Sequence, residues 1–206
     1  MSEYVSKYSF LLLAMVAIPL IAEMDTILQL WLGEVPEYSS IFCQLILIAA
    51  LCDQLSVGLT SANQAIGNIR NYTLIFYTLK LMVLIIGWVC LYFGMSVASI
   101  LWCYVGIELF TSLLRLPLMK WIADIPILPF CKHVFGRIIV PLIVMCSVCI
   151  ICVRYIQTPY RLVITIGLSV VIGGISIWLT AINKQEKEII IQSLNRFIPH
   201  NAKRHS

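Results

Sequence analysis

The sequence predicts an all-α, polytopic membrane protein, and three observations predict it. Apolar runs of membrane-spanning length fill almost the whole chain. Hydrophobic residues make up 61% of the 206 and charged residues only 12%. The mean hydropathy is +0.96, far from the range of soluble domains. A hydrocarbon core about 30 Å thick takes about 20 apolar helical residues to cross. Six runs meet that length: 8–32, 39–68, 71–93, 96–117, 134–153 and 161–182. Residues 1–183 thus form a six-span transmembrane unit, and residues 184–206 form a cytoplasmic tail. No soluble domain fits beside the spans.

Each element has its own signals. Span one carries Pro19 and then the polar pair Glu23 and Asp25, so a kink is expected near its middle. Trp31 suits the membrane interface at its end, and Gly33 suits a helix stop. Span two runs into the polar stretch Ser61 to Asn71 and a short turn, which makes spans two and three an antiparallel hairpin. Phe93-Gly94-Met95-Ser96 joins spans three and four in the same way. The stretch Leu118 to Lys132 reads as a loop, because Pro126 and Pro129 forbid a continuous helix. Span five contains Pro141, a second hinge candidate beside Pro19. Span six contains Gly167, Gly173 and Gly174, which permit close helix packing. In the tail, Ile190, Ile191, Leu194 and Phe197 fall at helical spacing against Lys187, Glu188 and Arg196, the pattern of an interfacial amphipathic helix.

The net charge of +4 gives no case for nucleic acid, since the basic residues are spread along the loops. In a membrane protein they act as topology signals. Lys7, Arg70, Arg115, Lys120, Lys132, Arg137 and the five basic residues of the tail put eleven of the fourteen on one side. Arg154 and Arg161 fall on the other side, whose first loop carries Glu34 and Glu37. Both termini are expected in the cytoplasm. Residues 1–7 hold no basic cluster and no small-residue cleavage pattern follows, so a cleaved signal peptide is not expected.

Enzymatic chemistry finds no constellation here. His133, His200 and His205 are all in loop or tail positions, no glycine loop cradles a phosphate, and no Ser or Cys has a base beside it. No cofactor or metal is expected. Cys146, Cys149 and Cys152 recur every third residue, but that spacing drifts around a helix and no His or carboxylate accompanies it. They read as small apolar side chains, and the lone Cys131-x-His133 carries no metal signal either.

Function must therefore rest on polar groups inside the bilayer, which are costly to place there. In span two, Asp53, Ser56, Thr60, Asn63, Gln64 and Gly67 lie at offsets 0, 3, 7, 10, 11 and 14. At 3.6 residues per turn they share one stripe roughly 100° wide. Such a stripe faces either neighbouring helices or a water-filled cavity. Lys80 lies roughly 13 Å into span three, too deep for its ammonium to reach the interface easily. Glu108 in span four is its natural partner. From the hairpin centre between residues 94 and 95, Lys80 is 14.5 residues away and Glu108 13.5. Two readings stand: a structural ion pair, or a cavity in which Lys80 binds an anionic substrate while Glu108 or Asp53 takes a coupling cation or proton. Glu23 and Asp25 either line the outer half of the same cavity or lie in an interfacial stretch.

Pro19 followed by Ile27-Leu28-Gln29-Leu30-Trp31-Leu32-Gly33 and Val35-Pro36-Glu37-Tyr38 resembles the "P…iLxlWLG-x-vPeY" stretch of bacterial polysaccharide biosynthesis membrane proteins. Those are the O-antigen and capsule flippases of the multidrug/oligosaccharidyl-lipid/polysaccharide exporter superfamily. Ala65-Ile66-Gly67-Asn68-Ile69-Arg70-Asn71-Tyr72 is similar to their "AtGkIkkY" turn, and Asn183-Lys184-Gln185-Glu186-Lys187-Glu188 before an Ile/Leu stretch also looks like theirs. The resemblance implies a transporter of undecaprenyl-pyrophosphate-linked oligosaccharide repeat units, working by alternating access between two helix lobes in the inner membrane. It further implies that Lys80 meets pyrophosphate or sugar acid groups. This sequence looks like the C-terminal lobe alone, so the resemblance also implies a partner, either an N-terminal lobe or a second chain. The alternatives are a drug/cation antiporter of the same superfamily and a non-transporting membrane remnant.

Overall fold

A computed structural model describes residues 2–67, 69–123, 127–158 and 160–182. The chain is an all-α polytopic membrane protein, with no strand among the described residues. Its helices are α1 (Ser2–Ala22), α2 (Met24–Leu32), α3 (Ser39–Gln54), α4 (Val57–Ile66), α5 (Ile69–Tyr92), α6 (Val97–Ala123), α7 (Ile127–Tyr155) and α8 (Arg161–Ser176). A π-helical turn, Ile177–Ala181, continues α8. Five helices are long and apolar enough to cross a membrane alone, and α3 with α4, bent by 45° at the break between them, reach that length and apolarity only as a pair.

α1 is the axis of the fold, packing against α3, α4, α7 and α8. Its buried Phe10, Leu11, Ala14 and Ile18 meet Leu59 of α4, Phe76 of α5 and Ile138, Met145 and Cys149 of α7. In lipid no hydrophobic gain separates one apolar surface from another, so close packing and small residues must do that work. On α8 the inward face is Thr165, Ser169, Gly173 and Ser176, all buried. A Cβ on Gly173 would meet Met145 Cγ and Sδ at 3.0 Å, so α7 and α8 touch there. Gly167 serves no such contact, contrary to expectation, since nothing lies within 4 Å of its Cβ position. The α5–α6 hairpin turns through Gly94 at φ +71° and exposes Leu74, Leu81, Leu84 and Trp88 outward. That is the surface expected of a lipid-facing edge.

Two expectations need correction. The first run, 8–32, is not one kinked span. α1 is long and apolar enough by itself over Glu3–Ala22 and continues through Pro19, and the helix breaks at Glu23, whose N–H still reaches Pro19 O at 3.1 Å. The interruption falls four residues after Pro19, where buried Glu23 pairs with Arg161 at the start of α8. α2 is therefore a separate short helix, closed by Gly33 at φ +74° with its N–H on Gln29 O at 3.0 Å. Second, the loop Leu118 to Lys132 is mostly helix: α6 extends through Pro117 to Ala123, and α7 begins at Ile127. Pro129 falls in the first turn of α7, where N–H groups have no intrahelical acceptor to lose. Pro141 lies inside α7. The amphipathic segment from Lys184 to Phe197 lies outside the described residues.

Candidate functional site

The break between α3 and α4 positions the polar residues of span two. Leu55 N–H reaches back to Cys52 O at 3.3 Å and Ser56 N–H to Asp53 O at 3.2 Å, a tightened turn that ends α3. Backbone exposed by a break at this depth must be satisfied from within the protein. Ser112 of α6 donates to Cys52 O at 2.8 Å, and Ser6 of α1 accepts from Gly58 N–H at 2.9 Å. No glycine or proline occupies residues 54–57; side chains on neighbouring helices hold the break.

Four charged side chains converge beside it. Lys80 Nζ lies 2.9 Å from Glu108 Oε1 and 3.4 Å from Asp53 Oδ1. Arg115 Nη1 lies 3.0 Å from the same Asp53 oxygen and donates to Ser56 Oγ at 2.9 Å. The Arg115 guanidinium also stands 5.2 Å from the centre of the Phe76 ring, within cation–π range. Two acids and two bases cancel, which is how charges persist in a low-dielectric interior. The members are not equally enclosed: Glu108 and Arg115 are 2% and 8% exposed, Lys80 and Asp53 29% and 35%. Glu108 Oε2 and Arg115 Nε are buried without a hydrogen-bond partner among the described residues.

Lys80 and Asp53 border open space on two sides. One cleft of about 380 Å³ is lined by Asp53, Thr60, Gln64, Tyr72, Lys80 and Arg115 among others. A second, of about 240 Å³, is bordered by Asp53, Lys80, Tyr104 and Glu108. The Tyr72 hydroxyl meets Thr60 Oγ1 at 3.3 Å across the first cleft wall. The polar stripe thus divides. Asp53, Thr60 and Gln64 reach the cleft, while Ser56 and Asn63 are buried and Gly67 closes α4 at φ +87°.

Glu23 and Asp25 do not join this cluster. Glu23 is buried and receives Arg161 on both oxygens, Nε to Oε1 at 3.0 Å and Nη2 to Oε2 at 2.9 Å. Thr165 and Thr26 add bonds of 3.1 and 2.9 Å. This forked pair ties the α1–α2 break to the start of α8 and leaves no Glu23 oxygen free, which marks it as a structural clamp. Asp25 is exposed and accepts a hydrogen bond from Ser40. At the other end of α1, buried Lys7 donates to Ala181 O at 3.1 Å, where the α8 helix ends and carbonyls lack partners. Of the cysteine triplet, Cys149 donates to Ser169 Oγ at 3.5 Å and Cys152 is buried.

Two arginines of these ion pairs, Arg115 and Arg161, escaped the sequence reading, both counted as loop charges. The signal for Arg115 was present: Glu108, Ser112 and Arg115 stand at offsets 0, 4 and 7, one face of α6. Comparison of the chain with protein families, with curated proteins and with solved structures found no match in any of the three.

Proposed function

We propose that this chain forms a wall of a path by which a lipid-linked oligosaccharide crosses the bacterial inner membrane, supplying O-antigen, capsule or exopolysaccharide synthesis. Both termini lie in the cytoplasm in this reading, and a second lobe supplies the facing wall. The observation that carries it is the cleft beside Asp53, Lys80 and Arg115. A membrane-embedded charge cluster that served only as glue would be packed on all sides. Here three of the four charges, Asp53, Lys80 and Arg115, border open volume together with the hydroxyl of Thr60 and the amide of Gln64. Cations suit a pyrophosphate, and neutral hydrogen-bonding groups suit sugar hydroxyls. The sequence resemblance points to the same substrate class.

An inert scaffold predicts an intact Lys80–Glu108 pair with no cavity beside it; the pair is intact and the cavity is present. The test is deletion of the gene in the cell that makes this protein. Lipid-linked repeat units should accumulate in the cytoplasmic leaflet while surface polysaccharide falls, and the wild-type gene should restore it. Unchanged surface polysaccharide with a new sensitivity to small organic cations would instead assign the chain to drug/cation antiport.

A further inference from the structure

Arg115 and Lys80 border the same cleft, and one oxygen, Asp53 Oδ1, takes a contact from each. A guanidinium offers a planar fork of donors that fits two oxygens of a phosphate or carboxylate at once. Asp53 engages only one prong: Arg115 gives it Nη1, shared with Ser56 Oγ, while buried Nε is left without a partner among the described residues. Nor does Lys80 need Asp53 for neutrality, since Glu108 stands closer, at 2.9 Å. Asp53 is also the most exposed of the four and sits in the last turn before the α3–α4 break.

We propose that Asp53 is a built-in occupant of an anion site. Arg115 and Lys80 are the site's cations, its ligand is a phosphate or pyrophosphate group, and Asp53 releases both cations when that ligand enters. The inference rests on the headgroup reading above and deepens it by assigning the anion's contacts. Exchanging one anion for another keeps both cations paired throughout, so neither is left bare at mid-membrane, where an unpaired charge is costly. Glu108 stays on Lys80 in both states and holds it at the cleft wall.

The probes are radiolabelled inorganic pyrophosphate, bound to the purified full chain in detergent, and unlabelled farnesyl pyrophosphate as competitor. Asp53→Asn keeps the shape of the side chain and removes the competing charge. It should bind pyrophosphate about tenfold more tightly than the unsubstituted protein, the worth of one charge-assisted hydrogen bond. Glu108→Gln removes the same unit of charge but leaves Arg115 on Asp53, so it should bind no more tightly. Adding Arg115→Gln to Asp53→Asn should abolish the gain. The proposal is overturned by a Asp53→Asn protein that binds no better, and equally by Glu108→Gln tightening as much, since net charge alone would then explain the effect.

Should Asp53→Asn fail to fold, infrared difference spectra of the unsubstituted protein decide instead. Saturating pyrophosphate must shift a carboxylate stretching band, and an unchanged band with pyrophosphate bound overturns the displacement. Better competition by farnesyl pyrophosphate than by pyrophosphate ties the site to a lipid headgroup. Equal competition upholds the anion site and removes the headgroup reading, so the two failures are told apart.

Discussion

Replacing Lys80 with Met removes the only cation in an ion pair with Glu108 among the described residues and so measures the pair at the centre of the site. The Glu108 side chain is 2% exposed, one of its oxygens depends on Lys80 at 2.9 Å, and the other has no partner among the described residues. Breaking a buried pair from one side leaves an uncompensated charge, and Lys80→Met should cost about 3 kcal/mol of stability. Glu108→Gln is milder, about 1 kcal/mol, because Lys80 keeps Asp53 at 3.4 Å and is 29% exposed. The double variant Lys80→Met/Glu108→Gln buries no unpaired charge and should also cost about 1 kcal/mol, a coupling of about 3 kcal/mol between the two positions. Reversible unfolding in mixed detergent micelles, followed by helical circular dichroism, gives the three values. Strictly additive losses would refute the reasoning, because the two charges then do not meet in the folded protein. A folded double variant also separates two roles: if Lys80 contacts the substrate, stability returns while anion binding stays lost.

Other features make their own predictions. Arg161→Met leaves Glu23 buried with Thr26 and Thr165 as its side-chain donors among the described residues; it should cost about 2 kcal/mol, and Glu23→Gln in the same chain should recover most of that, read by thermal unfolding. Gly173→Ala pushes a methyl to 3.0 Å from Met145 and should destabilise by about 1 kcal/mol. Gly167→Ala meets nothing and should be neutral or slightly stabilising, from helix propensity alone. In intact cells, a cysteine replacing Met95 in the α5–α6 turn should react with an impermeant thiol reagent added outside, and one replacing Ser2 should not; the reverse pattern would invert the proposed orientation.

The membrane character and most of the spans were legible because hydropathy over about 20 residues is a property of local sequence. The Lys80–Glu108 contact was legible as well, since a tight hairpin fixes depth on both helices and turns residue counting into geometry. Other features depend on neighbours that local sequence does not specify. The α3–α4 break has no glycine or proline to announce it and is held by Ser6 and Ser112, each more than 50 residues away in the chain. Arg115 looked like a loop charge because it falls near the end of a hydrophobic run, where basic residues usually mark the cytoplasmic edge. Only its helical phase with Glu108 and Ser112 marked it as inward-facing. Glu23 was ambiguous for a related reason: its partner Arg161 is 138 positions away, and no periodicity connects them. Pro129 misled because a proline in the first turn of a helix and one in a loop look alike in sequence.

The central claim is that Asp53, Thr60 and Gln64 face an aqueous cleft that accepts an anionic headgroup. Cysteines placed singly at Thr60, Gln64 and, as a lipid-facing control, Leu84 test it directly, using an impermeant thiol reagent on inverted membrane vesicles. Reactivity is read against the unsubstituted chain to discount its own cysteines. The account predicts that the cysteines at Thr60 and Gln64 react, that the one at Leu84 does not, and that a polyprenyl pyrophosphate protects the first two. Reaction at Thr60 and Gln64 no faster than at Leu84 would contradict it, leaving the four charges as packing within a closed bundle.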